Sequence, residues 1–443
     1  MVMRESIYYI NLRQAYLLSP LYASRMSSRT VLFTSVPNAY LDEPKLRRMF
    51  GRQVKNLWIA NECKEIEKLV EERDKVAFKL EAAETKLVKL ANAARLKSMK
   101  KGGSSHTDKM AQDVGGESGS TAARWLKPKD RPTHRLKPII GKKVDTINWC
   151  RQELERIVPK VDALQATHRA GEAKFINSVF IEFYNQSEAQ AAYQSLAHHQ
   201  ALHMAPRFIG INPEEIIWKN LKIKWASRVV RNILCIAFVA ALIIFWSIPV
   251  AVVGVLSNIS ALESTPGLTW LHFLDKIPST IMGLVQGLLP SVLLAVLMSL
   301  LPIILRLAAK LSGCPSLSAV ELRTQNFYFW FQVIQVFLIT TATSSAAASF
   351  QSIFMKPANA PTLLAMDLPK ASNFYISYFV LQGLAISSSA LVQIFGVILF
   401  KILGKFLDTT PRKMYKRWST LSSLGWGTVL PIYTNLTVIG KSK

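Results

Sequence analysis

The chain has 443 residues, half of them hydrophobic, and a formal net charge of +25. It is longer than one ordinary soluble domain. Its four cysteines, Cys63, Cys150, Cys235 and Cys314, lie too far apart for a CxxC zinc pair or a disulfide framework. From Asn232 onward the acidic residues are Glu263, Asp275, Glu321, Asp367 and Asp408, none inside a long apolar run. A polar first half and an oily second half argue for a soluble module fused to a membrane module.

The opening segment carries Arg4 and Arg13 and has no uninterrupted apolar core, so it does not read as a cleaved leader. Residues 1–29 read as a juxtamembrane segment that follows an earlier span. Thr30–Val36 alternates as a strand and stops at Pro37, Pro44–Phe50 is helical, and Val54–Ala60 is a second strand. Ser178–Tyr184 is a third. Ser187–Leu196 reads as a helix with Ser187 as N-cap and Gln190 three residues on, and Arg207–Ile211 as a last strand. Strand–helix–strand, insertion, strand–helix–strand predicts an α+β split ferredoxin/RRM-like domain over 30–227. Base stacking in such modules needs aromatics on the sheet face. Phe180 is in place, but Ser178 and Leu32 stand where two others belong, and Ile176 where a basic residue belongs, so no nucleic-acid partner is expected.

The insertion, 62–170, is predicted to be a helical hairpin. Ile66, Leu69, Val76, Leu80, Ala83, Leu87 and Leu90 keep helical spacing, as do Ile147, Cys150, Leu154, Ile157, Val161 and Leu164. The two stripes either pack on each other or form a dimer contact. Between them, a Gly-, Ser- and charge-rich stretch over about 98–141 reads as disordered. His198, His199 and His203 lack a further ligand at metal spacing and read as a polar helix end, so no metal or other cofactor is called for.

Residues 228–443 read as an α-helical polytopic membrane domain, a partial channel bundle. Spans of adequate length are 232–255, 281–305, 327–350 and 374–400, with a partial span at 424–440 that contains Pro431. Lys219, Lys222, Lys224, Arg228, Arg231, Arg306, Lys310, Arg323 and the basic residues of 401–417 fall on one side. Lys276, Lys356 and Lys370 fall on the other. The positive-inside bias therefore puts the N-terminal domain in the cytosol, and the sequon at Asn258 on the far side as a glycosylation acceptor.

Polar groups inside spans face protein or a watery path. The fourth span has such a stripe: Tyr375, Tyr378, Gln382, Ser389 and Gln393, with Gly383 beside it. The third offers Gln332, Gln335 and Thr343 on about one face. Helix–helix hydrogen bonding and pore lining both fit these residues. No nucleophile–base set, Walker loop or HExxH motif is present, so an enzyme is not expected.

Five stretches together resemble one family. They are SRTVLFTSVP (Ser28–Pro37), APRFIGINPEEIIWKNLKI (Ala205–Ile223), GLLPSVLLAVLMSLLPIILR (Gly287–Arg306), FYFWFQVIQVFL (Phe327–Leu338) and LPKASNFYISYFVLQG (Leu368–Gly383). Over essentially its whole length the chain is similar to the OSCA-type, calcium-permeable, stress-gated cation channels, in their fungal branch, shortened at both ends. The resemblance implies a homodimer joined through its cytosolic domains, each subunit with its own pore. The bilayer would be the plasma membrane, and calcium, sodium and potassium the permeating cations. It also implies that the helix matching Phe374–Phe400 carries a gate that membrane tension opens, and it carries over Gln332, Gln335, Tyr378, Gln382 and Gly383. Some members place a carboxylate in that helix; none occurs here from Asn373 to Phe400. The implied function is a mechanically or osmotically gated cation channel subunit, or a fragment of one. The alternative is a lipid scramblase-like membrane protein or a non-conducting scaffold fragment.

Overall fold

A computed structural model describes residues 2–100, 125–136, 141–250, 279–339, 372–420 and 425–441. They divide into two units. One comprises Met1–Ala60, Phe175–Ser387 and Leu424–Lys443; the other comprises Asn61–Lys174 and Ser388–Ser423. Six strands are described: β1 (Thr30–Thr34), β2 (Val54–Asn61), β3 (Thr133–Arg135), β4 (Lys143–Asp145), β5 (Phe175–Phe183) and β6 (Arg207–Ile209).

In the first unit the strands order as β2–β5–β1–β6, with β1 antiparallel to β5 and to β6. Period-two alternation splits the side chains between two faces. Val31, Phe33, Val179, Ile181 and Phe183 point to one face and pack on Leu46 of the Glu43–Phe50 helix and on Ala189 and Ala192 of the Gln186–Gln194 helix. Phe50 closes this layer, its ring 5.0 Å from Phe33 and 6.0 Å from Phe183. The cap of the second of these helices is not Ser187 but Asn185. Glu188, three residues on, accepts from the Asn185 N–H at 3.1 Å, completing a capping box one turn-fraction earlier than the serine.

The opposite face, with Leu32, Ile176 and Phe180, is covered by Ile216, Leu221 and Ile211 of the segment that leads to the membrane helices. Ser178 is fully buried there and donates to the Leu221 carbonyl at 2.9 Å. The face on which bases would stack is thus occupied by the protein's own chain.

Within the same unit the helices of the oily half are Trp225–Phe245, Ser279–Leu311, Leu317–Phe331, the part of Ser372–Val392 up to Ser387, and Trp426–Lys441. Among the described residues, Trp225–Val250 is long and apolar enough to cross a bilayer. The first of these helices starts seven residues before the expected span at Asn232, because Trp225, Val229 and Val230 extend the apolar face past Arg228 and Arg231. The expected spans 232–255 and 327–350 continue beyond the described residues. Their inner parts pack around Leu301, Leu305 and Phe331, with Trp246 edge-on to Phe331 at 5.5 Å.

The second unit contains the hairpin. Val76 packs near Ile157 and Val161, whereas Ala83 and Leu87 pack near Ile147, so the Lys64–Lys100 and Thr146–Arg169 helices run antiparallel. Arg156–Glu72 and Arg151–Glu84, each 3.4 Å, follow the same order. The first stripe ends on buried Ala91 rather than on Leu90, which is exposed. The expected disorder over about 98–141 is corrected at both ends of its described part: helix continues to Lys100, and β3 pairs with β4 as a small antiparallel ladder. Residues 101–124 lie outside the description.

Asp145 ends that ladder and caps the second hairpin helix, accepting from Ile147 N at 2.9 Å and Asn148 N at 3.1 Å while pairing with Arg131 at 2.8 Å. Asp145→Ala should therefore destabilise the hairpin by about 0.5–2 kcal/mol. Urea unfolding followed by helical circular dichroism measures the loss; an unchanged midpoint would mean the cap is idle.

Candidate functional site

The Leu317–Phe331 helix starts on Ser316, whose hydroxyl accepts from Ala319 N. At Gln332 the backbone widens into a π-helical stretch, Gln332–Ile339, a form that concentrates at functional sites. Gln332 is buried. Its side-chain oxygen accepts from the Tyr378 hydroxyl at 3.4 Å, and its carbonyl accepts from Asn435 Nδ2 at 3.5 Å. Gln335 donates to the Ile243 carbonyl of the first membrane helix. Two glutamines three residues apart thus tie their own helix to three others by amide and hydroxyl contacts, the kind of polar bond that holds helices together in lipid.

Asn435 was not among the residues singled out from sequence. It is fully buried, and its Oδ1 has no partner among the described residues. An isolated amide between Leu430 and Ile439 was the available signal.

The structure distributes the other candidates. Tyr378, Gln382 and Gly383 share the first unit with Gln332 and Gln335. A Cβ on Gly383 would meet nothing within 4 Å among the described residues. Ser389 and Gln393 belong to the second unit. The helix is not continuous over 374–400. It stops at Val392, Gln393 takes the left-handed conformation at φ +46°, and helix resumes at Ile394 before a π-helical turn at Leu399–Leu403. The Gln393 N–H still donates to Ser389 O at 3.1 Å and its carbonyl accepts from Gly396 N at 2.8 Å. A non-glycine residue there is strained. Thr343 and Asn258 lie outside the described residues, as does the side chain of Tyr375.

Beyond the break, Asp408 is clamped by Arg417, whose hydrogen bond holds the carboxyl below its usual range. Arg412, in the following Pro411–Ser419 helix, pairs with Glu81 of the hairpin at 3.1 Å and lies over the Phe78 ring. Lys89 donates to the Thr409 carbonyl at 3.3 Å. In the first unit, Arg306 grips Glu321 at 2.6 and 3.3 Å, against Gly427. His198 stacks on His199 at 4.5 Å and meets His203 at 5.2 Å as an aromatic cluster.

Two family models match the chain. Residues 231–441 fit "Calcium-dependent channel, 7TM region, putative phosphate", and residues 28–220 fit "Cytosolic domain of 10TM putative phosphate transporter". The "Uncharacterized protein RSN1" of Saccharomyces cerevisiae is 45% identical over 442 residues, covering 99% of this chain and 45% of that protein. "Phosphate metabolism protein 7" of the same yeast is 36% identical over 436 residues, covering 97% and 43%. "Hyperosmolality-gated Ca2+ permeable channel 3.1" of Arabidopsis thaliana is 27% identical over 295 residues, covering 65% and 40%. The chain spans about half the length of the curated relatives it matches.

Proposed function

This chain belongs to the calcium-dependent channel family whose seven-span region and cytosolic domain it matches, and from that premise we propose that it is a subunit, or a portion of a subunit, of a mechanically or osmotically gated, calcium-permeable cation channel. The observation that carries the reading is the buried Gln332, bonded to Tyr378 of the expected gate helix and to Asn435 at the start of a π-helical stretch. Polar contacts of this kind have two discrete states, made and broken, and so can distinguish a closed packing from an open one. Gln335, Tyr378, Gln382 and Gly383 are assigned to the same path in the first unit, with neutral amides and hydroxyls rather than carboxylates offered to the ion. Ser389 and Gln393, in the second unit, are pore-lining candidates by their polarity within the fourth span.

The cytosolic domain is read as split ferredoxin/RRM-like. Its strand order, and the helices that follow β1 and β5 on one face, support that topology. Homodimerisation through this domain and residence in the plasma membrane belong to the same proposal, as does passage of calcium, sodium and potassium.

The test is patch-clamp of liposomes holding the purified chain while suction is stepped. Calcium-carrying currents that grow with suction are expected. Gln332→Leu removes the Tyr378 bond, and an interhelical bond in lipid is worth about 0.6–1.7 kcal/mol. The open-to-closed ratio at fixed suction should therefore rise about 3- to 18-fold. Silence with flux of labelled lipid would favour the scramblase-like reading, and silence with neither would leave a scaffold.

A further inference from the structure

The cytosolic ends of the membrane helices hold a cavity of about 400 Å³. Its walls include Phe208 of β6, Arg228 and Asn232 of the first membrane helix, Ser312 in the turn after the second, and Arg323 and Asn326 of the third. The turn is shaped for this position. Gly313 sits at φ +97°, where its missing Cβ leaves room for Ile223 at 3.3 Å and the Arg228 stem at 3.6 Å. Asn220 fixes the turn by donating to the Lys310 and Cys314 carbonyls at 2.9 and 2.8 Å.

Both arginines are half-buried, and both have only neutral partners among the described residues. Arg323 uses one nitrogen for Asn232 Oδ1 at 2.6 Å and Ser312 Oγ at 2.7 Å. Arg228 donates to Thr34 Oγ1 at 3.0 Å and to the Ile223 carbonyl at 3.4 Å, and its Nε is buried with no partner among the described residues. Among the described residues, no carboxylate lines the cavity. A guanidinium withdrawn from water without a counter-charge is costly, and two of them beside a void select an anion with several oxygens, since guanidinium and phosphate match in geometry. The site lies where the apolar run of the first span begins, at the depth of lipid headgroups on the cytosolic side. Val229 and Leu322 give it apolar wall beside the charges.

We infer that this cavity binds a phosphate group, carried by an anionic phospholipid of the inner leaflet or free in the cytosol. The volume suits a headgroup. The inference goes beyond the channel reading and stands without it.

The full chain, purified into phosphatidylcholine nanodiscs with or without a phosphatidylinositol phosphate, is assayed by native mass spectrometry for retained lipid. A second arm titrates inorganic phosphate into discs of phosphatidylcholine alone and follows the melting temperature. The variants are Arg323→Gln and Arg228→Gln, with the melting temperature in plain phosphatidylcholine as the folding control. A charge-assisted bond is worth about 1.5–3 kcal/mol, so each variant should weaken retention of the anionic lipid about 10- to 100-fold. Loss confined to the phosphate arm would keep the site and make the free anion its ligand. Equal retention by wild type and by a variant that melts normally would overturn the inference, as would no response in either arm. If one variant fails the folding control, the other decides.

Discussion

Phe33→Ala is expected to cost the cytosolic domain about 3–5 kcal/mol. Phe33 has no exposed surface and sits on the central strand β1, facing Val179 on β5 and Arg207 on β6 in register. Its ring meets Phe50, which in turn meets Phe183, so the deletion opens a void bounded by two strands and a helix. Strand β1 is hydrogen-bonded on both edges and cannot shift to fill that void. A domain of ordinary stability, about 5–15 kcal/mol, would lose a large part of it. Pulse proteolysis in urea, reading cleavage within the cytosolic sequence, gives the number. A loss below about 1 kcal/mol would mean that the two-faced sheet is packed differently. The membrane helices need not report the change, so proteolysis is preferable to a whole-chain melt.

The second large effect is steric. Gly427 is buried where the Trp426–Lys441 helix crosses the Leu317–Phe331 helix. A Cβ there would overlap Glu321 Oε2 and come within 3.0 Å of the Glu321 carbonyl oxygen. The side chain can swing away only by releasing Arg306, and the carbonyl can retreat only if the helices separate. Gly427→Ala should therefore cost about 1–3 kcal/mol, as overpacking does. Glu321→Ala removes the overlapping carboxylate, so the double variant should lose less than the sum of the two singles. Thermal stability in micelles across the four-member cycle measures the coupling. Strict additivity would show that Gly427 and Glu321 do not meet.

Much of the cytosolic domain was legible because alternation and turn residues act locally. Thr30–Val36 and Ser178–Tyr184 read as strands from their β-forming residues; that Leu32 and Phe180 pack on a second face, opposite Phe33 and Val179, emerges only in the fold. The hairpin stripes were legible for the same reason. What could not be read were features fixed by distant partners. Asn185 rather than Ser187 caps its helix because Glu188 reaches back to it, and both spacings look alike on paper. The break at Gln393 has no glycine or proline to mark it. Gln332 and Tyr378 stand out as polar groups within long apolar runs, whereas Asn435 lies in a short segment interrupted by proline. Arg228 and Arg323 were counted as charges that orient the spans. Only folding brings them to one cavity.

The Arg412–Glu81 pair joins the helical hairpin to the segment that leaves the interrupted helix, and Arg412 is largely in solvent, 71% exposed. An attraction in that setting depends on the electrolyte around it. The Debye length is about 8 Å at 0.15 M salt and about 3 Å at 1 M. A cell that loses water concentrates its dissolved ions, and the shorter screening length weakens this contact.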